Sequence, residues 1–337
     1  MAGIADVAKA AGVSKSTVSR ALSGSGYVSP ETRERVAEVA ASLGFVASTN
    51  AASLVTGRTK NVGVVIPFIN RWYFGEVLEG IESALMDAGY DLSLYRLRED
   101  ETHRKRVFDY FLVRKRVDAV IAVGIALTPH EVQLLHNLAK PIVGVGGEIE
   151  GISTLSIDDE ASAHLATMHL VALGHRRITH LGGSLDRQMD FTVHARRLDG
   201  YRRAMTEAGL GATQGFVPTD YTQEGGYAAA LQLLADPRER PTAIVAGCDE
   251  IAIGAIIAAR QLGVGVPSAL SIIGIDGHEL APMFGLTTLR QDPARQGSRA
   301  VSLVLDELAA PRAEFASQHF TVETELDVRG STTSPAV

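Results

Sequence analysis

The chain of 337 residues holds a single cysteine, Cys248. One thiol closes no intramolecular disulfide and builds no thiolate metal site, which agrees with a reducing compartment; its simplest reading is a small buried hydrophobe. Long apolar runs are missing too. Ile251 to Ala259 is broken by Gly254 and stays far below the ~20 residues that cross a bilayer. At the amino terminus, Met1 to Ala11 mixes Asp6 and Lys9 into the apolar pattern, and no h-region or small-residue cleavage site follows. A cytoplasmic protein without membrane association is expected. Catalytic signatures are absent as well: no G-x-G-x-x-G follows the first strand, and neither a phosphate-loop motif nor a G-x-S-x-G elbow occurs. The ten histidines include no H-E-x-x-H pair, and His175 in LGHRRI reads as a loop residue. Acidic neighbours such as Asp158 and Asp159 read as helix caps rather than as an acid-base pair. The expectation is a non-enzyme with neither cofactor nor metal.

What is present begins with length, which exceeds what one hydrophobic core usually organises, so two or more folding units are expected. The formal net charge is -7, yet it is unevenly spread. Residues 1 to 60 carry seven cations against four acids, a net +3, and the remainder carries 25 against 35, a net -10. A small basic head on an acidic body is the asymmetry expected when only the head meets phosphates.

Within the head, Ile4, Val7, Ala8 and Ala11 recur at i, i+3, i+4 and i+7, a short helix that Gly12 ends. A second helix begins near Lys15, with Val18 and Leu22 inward and Lys15, Ser16 and Arg20 outward. Ser29 as N-cap and Pro30 at the first position open a third, whose inner face is Val36, Val39, Ala40 and Leu43. This is a helix-turn-helix pattern. The run IADVAKAAGVSKSTVSRALSGSGYVSPETRERVAEVAASLGF resembles, almost position by position, the DNA-binding head of the lactose-repressor (LacI/GalR) family. Blocks further on, VGVVIP, LGHRRITHLGG, RRLDGY, PTAIVAGCDEIAIGA, SIIGIDG and LTTLRQD, fall where that family has its own.

The resemblance implies a head at 1–46, a hinge helix and linker at 47–60, and an effector-binding body at 61–330. It places the second helix in the major groove of double-stranded DNA. Lys15, Ser16 and Arg20 match base-reading positions, and Arg20 has the fork that pairs with guanine O6 and N7. Thr17 and Ser19 resemble phosphate-positioning hydroxyls. The segment STNAASLVTG is too short to be stable alone. Leu54 stands where the family inserts a minor-groove wedge, while Ala52 occupies a place usually held by arginine. A two-fold homodimer implies an inverted-repeat operator. The tail at 331–337 lacks a heptad pattern and is expected to be disordered.

From Val62 the chain alternates apolar strands with amphipathic segments, the rhythm of a parallel sheet, and it does so in two series. The resemblance implies a periplasmic-binding-protein-like α/β pair of lobes, 61–159 with 290–319 and 160–289 with 320–330. Ligands in such sheets sit outside the carboxyl ends of the strands. Tyr73, Phe74, Asp249 and Asp276 follow strand ends. By resemblance Phe74, Arg197 and Asp276 match effector contacts; Asp249 is either a contact or a cap of the helix that follows. Aromatic faces with Arg197 and Asp276 suit a small sugar or sugar-like metabolite, and the same set admits a nucleobase. Cys248 stands where sugar-binding relatives commonly have asparagine, so specificity should differ from the common hexoses. The rival reading, a solute-binding protein of a transport system, shares the body but not residues 1–57. Leu54→Ala is expected to weaken operator binding and leave ligand binding intact, because the wedge touches only DNA. A gel-shift titration giving equal affinity for variant and parent would overturn the hinge assignment.

Overall fold

The computed structural model describes residues 2–23, 26–45, 58–98, 100–112, 117–137, 140–184, 192–309 and 317–336. It divides into two units, Met1–Asn61 with Lys115–Asp118, and Val62–Arg114 with Ala119–Val337. In the first, α1 (Ile4–Ala11), α2 (Lys15–Ser23) and α3 (Pro30–Ser42) close a small core of Val7, Ala8, Ala11, Val18, Ala21, Val36 and Ala40. Gly12 takes a left-handed φ of 67° and returns its N–H to Ala8 and Lys9 carbonyls, a stop that costs other residues strain. The Ser29 hydroxyl caps α3 by accepting from the Thr32 N–H. Leu43 departs from the expected inner face. It ends the helix, 40% exposed, and Phe45 packs against the cluster in its stead.

In the second unit the chain runs β1 (Asn61–Ile66), α4 (Trp72–Asp87), β2 (Asp91–Arg96), α5 (Glu101–Arg106), β3 (Ala119–Val123), α6 (Pro129–Asn137), β4 (Ile142–Val145) and β5 (Ser153–Ile157). It continues through α7 (Asp159–Ala172), β6 (Ile178–Gly182), α8 (Val193–Glu207), β7 (Gly215–Pro218), α9 (Gln223–Leu233), β8 (Ala243–Ala246), α10 (Asp249–Gln261), β9 (Ser271–Asp276), α11 (Ala281–Phe284) and β10 (Thr287–Arg290). Last come α12 (Pro293–Ala309), β11 (His319–Val322) and β12 (Glu325–Asp327). Two six-stranded sheets result, ordered β11-β5-β4-β3-β1-β2 and β12-β10-β9-β8-β6-β7. Apolar runs such as AVIAV in β3 and IVGV in β4 are buried throughout, as parallel strands covered on both faces must be. In each sheet the order reverses beside its first strand, at β1 and at β6, the switch point where α/β sheets open a crevice.

The chain passes between the lobes after β5, after β10 and between β11 and β12. The third passage lies at 323–324, so strand His319–Val322 stays with the first sheet and β12 pairs antiparallel with β10 in the second. Helices pack closely enough that glycine is required where they cross. A Cβ on Gly254 of α10 would collide with the Gln223 carbonyl of α9, and one on Gly297 of α12 with the Val77 carbonyl of α4.

The tail is not disordered over 331–336. Ser331 is 1% exposed; its hydroxyl donates to the Ile272 carbonyl and accepts the Thr287 N–H at 2.8 Å. Thr333 offers its carbonyl to the Ser271 hydroxyl and its N–H to the same oxygen. Short polar residues thereby supply the amino-terminal ends of β9 and β10 with hydrogen bonds, a role that hydrophobic patterning does not reveal.

His180, in β6, is wholly buried between the rings of Tyr201 and Phe216, and its Nδ1 donates to the Val245 carbonyl at 3.0 Å. Burial pushes its pKa down to about 3, and Arg197 and Arg202 act in the same direction. His169 and His175 are also lowered, chiefly by burial. These rings fold neutral, whereas the unfolded chain takes up their protons near pH 6.5, so their own contribution to stability is complete above that pH and is lost below it. The loss should be about 1.4 kcal/mol per pH unit for His180 alone. Urea unfolding of the parent and of His180→Phe at pH 7.5, 6.5 and 5.5 isolates it from the raised carboxyls of the body, which act oppositely; the same pH dependence in both proteins would refute the assignment.

Candidate functional site

On the head, the exposed face of α2 carries Lys15, Ser16 and Arg20. The Ser14 hydroxyl receives the Thr17 N–H at 3.1 Å and lies 2.8 and 2.9 Å from the hydroxyls of Ser16 and Thr17, which fixes the first turn. Arg20 Nε donates back to the Ser16 carbonyl, so its stem lies along the helix. Thr17 and Ser19 are half-buried. Tyr27, which the sequence reading did not single out, stands 89% exposed in the loop before α3. No acidic residue occupies the first turn of α2. The face is therefore basic and rich in donors. Leu54 lies outside the described residues.

Between the two lobes of the body is a cavity of about 380 Å³ at the carboxyl ends of the strands. Tyr73, Phe74 and Asp276 line it, as the strand-end rule predicts, and so does Arg197, which the family resemblance indicates. Their connections form one polar chain. The Tyr73 hydroxyl donates to Gln296 Oε1 at 3.3 Å, Gln296 Nε2 to Gln291 Oε1 at 2.7 Å, and Gln291 Nε2 to Asp276 Oδ1 at 2.8 Å. Arg197 Nη2 donates to the same Asp276 oxygen at 3.2 Å, its Nε to Asp159 Oδ1 at 2.8 Å, and its Nη1 to the Gly247 carbonyl. Burial opposes the charge on Arg197, but Asp276 and Asp159 more than restore it, and the guanidinium stays protonated. On Asp276 burial raises the carboxyl and Arg197 lowers it. Phe74 stands edge-on to Tyr73 at 5.3 Å. Gly124 makes room for it, since a Cβ there would press on the Phe74 ring.

Asp249 is placed differently from both readings of the sequence. It is 1% exposed behind the cavity wall, and α10 begins on it with Cys248 as N-cap. Its carboxylate accepts the N–H groups of Gly277 and His278 at 2.9 and 2.8 Å and the Thr288 hydroxyl at 2.7 Å. Asp276 itself has a φ of 121°, a region that favours glycine, and Gly277 follows at 80°. Asp249 thus clamps the strained turn that presents Asp276. Burial and the nearness of Asp276 push its carboxyl up to about 8, against those three donors.

Asp159 was read with Asp158 as a cap, and the two divide the work: Asp158 accepts the Ala161 N–H at the start of α7, and Asp159 holds Arg197. The strand-end rule applied to β5 would have found it. Gln291 and Gln296, polar residues within amphipathic surroundings, gave no signal. Across the cavity mouth, Arg71 donates to the Tyr221 carbonyl, its guanidinium lies 4.7 Å over Phe68, and the Trp72 ring stacks on His278 at 4.8 Å. Cys248 lines the cavity, 3% exposed, with burial raising its thiol.

Two family profiles match: "Bacterial regulatory proteins, lacI family" over residues 3–48, and "Periplasmic binding protein-like domain" over 167–332. The "HTH-type transcriptional repressor PurR" of Glaesserella parasuis is 34% identical over 91% of this chain and 90% of its own. "Catabolite control protein A" of Priestia megaterium is 35% identical over 89% and 91%. Among solved structures, a "transcriptional regulator CelR-cellobiose complex" is similar with a TM-score of 0.68 at 26% identity over 98% of this chain and 100% of that one. The lac repressor dimer bound to operator and an anti-inducer has a TM-score of 0.86 at 24% identity over 98% and 99%, a likeness of fold.

Replacing Asp249 with alanine removes the acceptor of three donors, two of them on the buried residues His278 and Thr288. Unfolding free energy should fall by about 3 kcal/mol, since each orphaned donor costs roughly 1–3 kcal/mol. Thermal denaturation of Asp249→Ala matching that of the parent would show that the clamp is not needed.

Proposed function

Since the chain belongs to the lacI family of bacterial regulatory proteins, as a DNA-binding transcriptional regulator under small-molecule control, we propose that its effector is a small sugar or sugar-like metabolite held between the lobes. The observation that carries this is the polar chain from Tyr73 to Asp159, with Asp276 and Arg197 beside the Phe74 face. Alternating acceptors and donors next to a flat apolar wall match a polyhydroxylated ring, whose hydroxyls each need a partner once buried. A similar regulator solved with cellobiose supports it. The role is non-catalytic and cytoplasmic; among the described residues no helix is long and apolar enough to cross a membrane.

The head reads DNA as a homodimer on an inverted repeat. Lys15, Ser16 and Arg20 contact base edges, Thr17 and Ser19 position the helix on phosphates, and Leu54 is the wedge. The basic, exposed α2 face supports this assignment, and a helix-turn-helix head has no place in a transport solute-binding protein. An effector acts on such a regulator only through its different affinities for the two arrangements of the lobes.

Two measurements test the proposal. Calorimetry against a panel of sugars and nucleobases should yield a hit whose affinity falls at least tenfold in both Arg197→Ala and Asp276→Ala; a hit indifferent to both would place the effector elsewhere. Selection from random duplexes should enrich an inverted repeat with the parent protein. With Arg20→Ala one position in each half-site should lose its preference, about 1–3 kcal/mol of discrimination, and an unchanged motif would remove Arg20 from the base-reading set.

A further inference from the structure

Resting on the reading of the cavity as a sugar-like effector site, the charges around it decide which members of that class can enter. Among the described residues, four carboxyl groups line the cavity, Asp159, Asp220, Glu250 and Asp276, against two guanidinium groups, Arg71 and Arg197. Both cations are already committed. Arg197 is held by Asp159, Asp276 and the Gly247 carbonyl, and Arg71 by the Tyr221 carbonyl and the face of Phe68. An incoming phosphate would have to break the bonds that hold Arg197 before it gained one there, and at Arg71 it would share the guanidinium with the Tyr221 carbonyl and the Phe68 face.

Helix amino termini are the other usual holders of anions. Two that reach this cavity are occupied by the protein's own acids: Asp158, Asp159 and Glu160 open α7, and Asp249 and Glu250 open α10. The first turns of α4 and α8 hold no acid, but they present Tyr73, Phe74, Val193 and His194 to the cavity, which are ring and apolar faces rather than charge. Glu250 is the half-buried carboxyl of the set, between the buried Asp159 and Asp276 and the exposed Asp220. Burial pushes its pKa up to about 7, with Arg71 pulling the other way and Asp276 and Glu224 adding to the rise. Such a group gains from a hydroxyl donor and loses from a second negative charge. The wall also carries a demand that an uncharged ligand meets. The Tyr221 hydroxyl is buried with no hydrogen-bond partner among the described residues, and a ligand hydroxyl can both donate to it and accept from it.

We propose that the cavity accepts an uncharged, hydroxyl-bearing ligand and rejects phosphorylated and carboxylated ones, and that Glu250 is the residue that sets this preference. Asp276 and Arg197 orient the ring, whereas Glu250 chooses its charge.

Trp72 is the single tryptophan and stacks on His278 beside the cavity, so its emission reports on the site in the full-length protein. Two pools are titrated: ribose, glucose, galactose, maltose and cellobiose, and ribose 5-phosphate, glucose 6-phosphate, galactose 6-phosphate and gluconate, with melting temperature as the second readout. At pH 8, above the Glu250 value of about 7, a neutral sugar should bind and its charged counterpart should be about tenfold weaker, the cost of holding two like charges together or of protonating the carboxyl. A charged member binding as tightly as its parent sugar, or tighter, overturns the inference and leaves the sugar reading standing. Silence from both pools, in emission and in melting alike, overturns the sugar reading and this inference with it. Glu250→Gln should narrow the gap between a sugar and its phosphate ester about tenfold, and an undiminished gap would remove Glu250 from the role. If that variant does not fold, Asp220→Asn, which takes an exposed carboxylate from the same wall, should narrow the gap in its place, and again an undiminished gap counts against the charge mechanism.

Discussion

The body is organised around one buried cation, the Arg197 guanidinium between Asp159 and Asp276. Taking an arginine and two carboxylates out of water is costly, and a well-packed apolar trio would often be as stable. The expense makes sense at a site that must change its contacts. Asp159 begins α7 immediately after the first passage between lobes, and Gln291, the other donor to Asp276, sits at the second. The ion cluster is therefore tied to two of the three segments that join the lobes. A ligand that donates hydrogen bonds to Asp276 competes with both ties at once.

Holding Asp276 in place requires more than its own bonds. The residue sits in a backbone region that glycine prefers, and the Asp249 carboxylate pins the next two N–H groups of the turn. Gly274 is needed because a Cβ there would run into the Asp249 carboxylate. The strain at Asp276, the clamp at Asp249 and the bare backbone at Gly274 form one device, in which each part would be unfavourable alone. Preorganised acceptors of this kind spare the ligand the cost of ordering them.

Much of this was legible in the sequence, and the reasons differ by element. The head was readable because cap, stop and apolar spacing agreed: Ser29, Gly12 and the Val7, Ala8, Ala11 stripe all do what their chemistry dictates. Leu43 misled because the 3.6-residue period ran on past the point where the helix ends. Strand ends exposed Tyr73, Phe74 and Asp276, since in parallel sheets carboxyl ends face the crevice. Asp249 satisfied the same rule and still lies behind the wall. A one-residue shift around a strand end reverses which way a side chain points, and sequence spacing does not resolve that. Gln291 and Gln296 were invisible because an amide in an amphipathic helix or loop looks the same whether it meets water or a carboxylate. The tail was misjudged for a related reason: Ser331, Thr332 and Thr333 hydrogen-bond through small polar groups that composition reads as solvent-loving.

These pieces make the control argument quantitative. A regulator of this design works only if the ligand binds one lobe arrangement better than another, and shifting a population from 1:99 to 99:1 takes a differential of about 5.5 kcal/mol. No single exposed hydrogen bond supplies that. Contacts able to do so must be buried, charge-assisted and different in the two arrangements. The run from Tyr73 through Gln296, Gln291, Asp276 and Arg197 to Asp159 is largely buried and is charge-assisted from Gln291 onward, and it joins the lobes, because it starts on α4 of the first lobe and ends at the first helix of the second. Rotation of one lobe stretches the chain somewhere along its length. On the proposed effector reading, a ring that fills its middle would convert that stretch into a difference in binding free energy, the quantity that reaches the DNA.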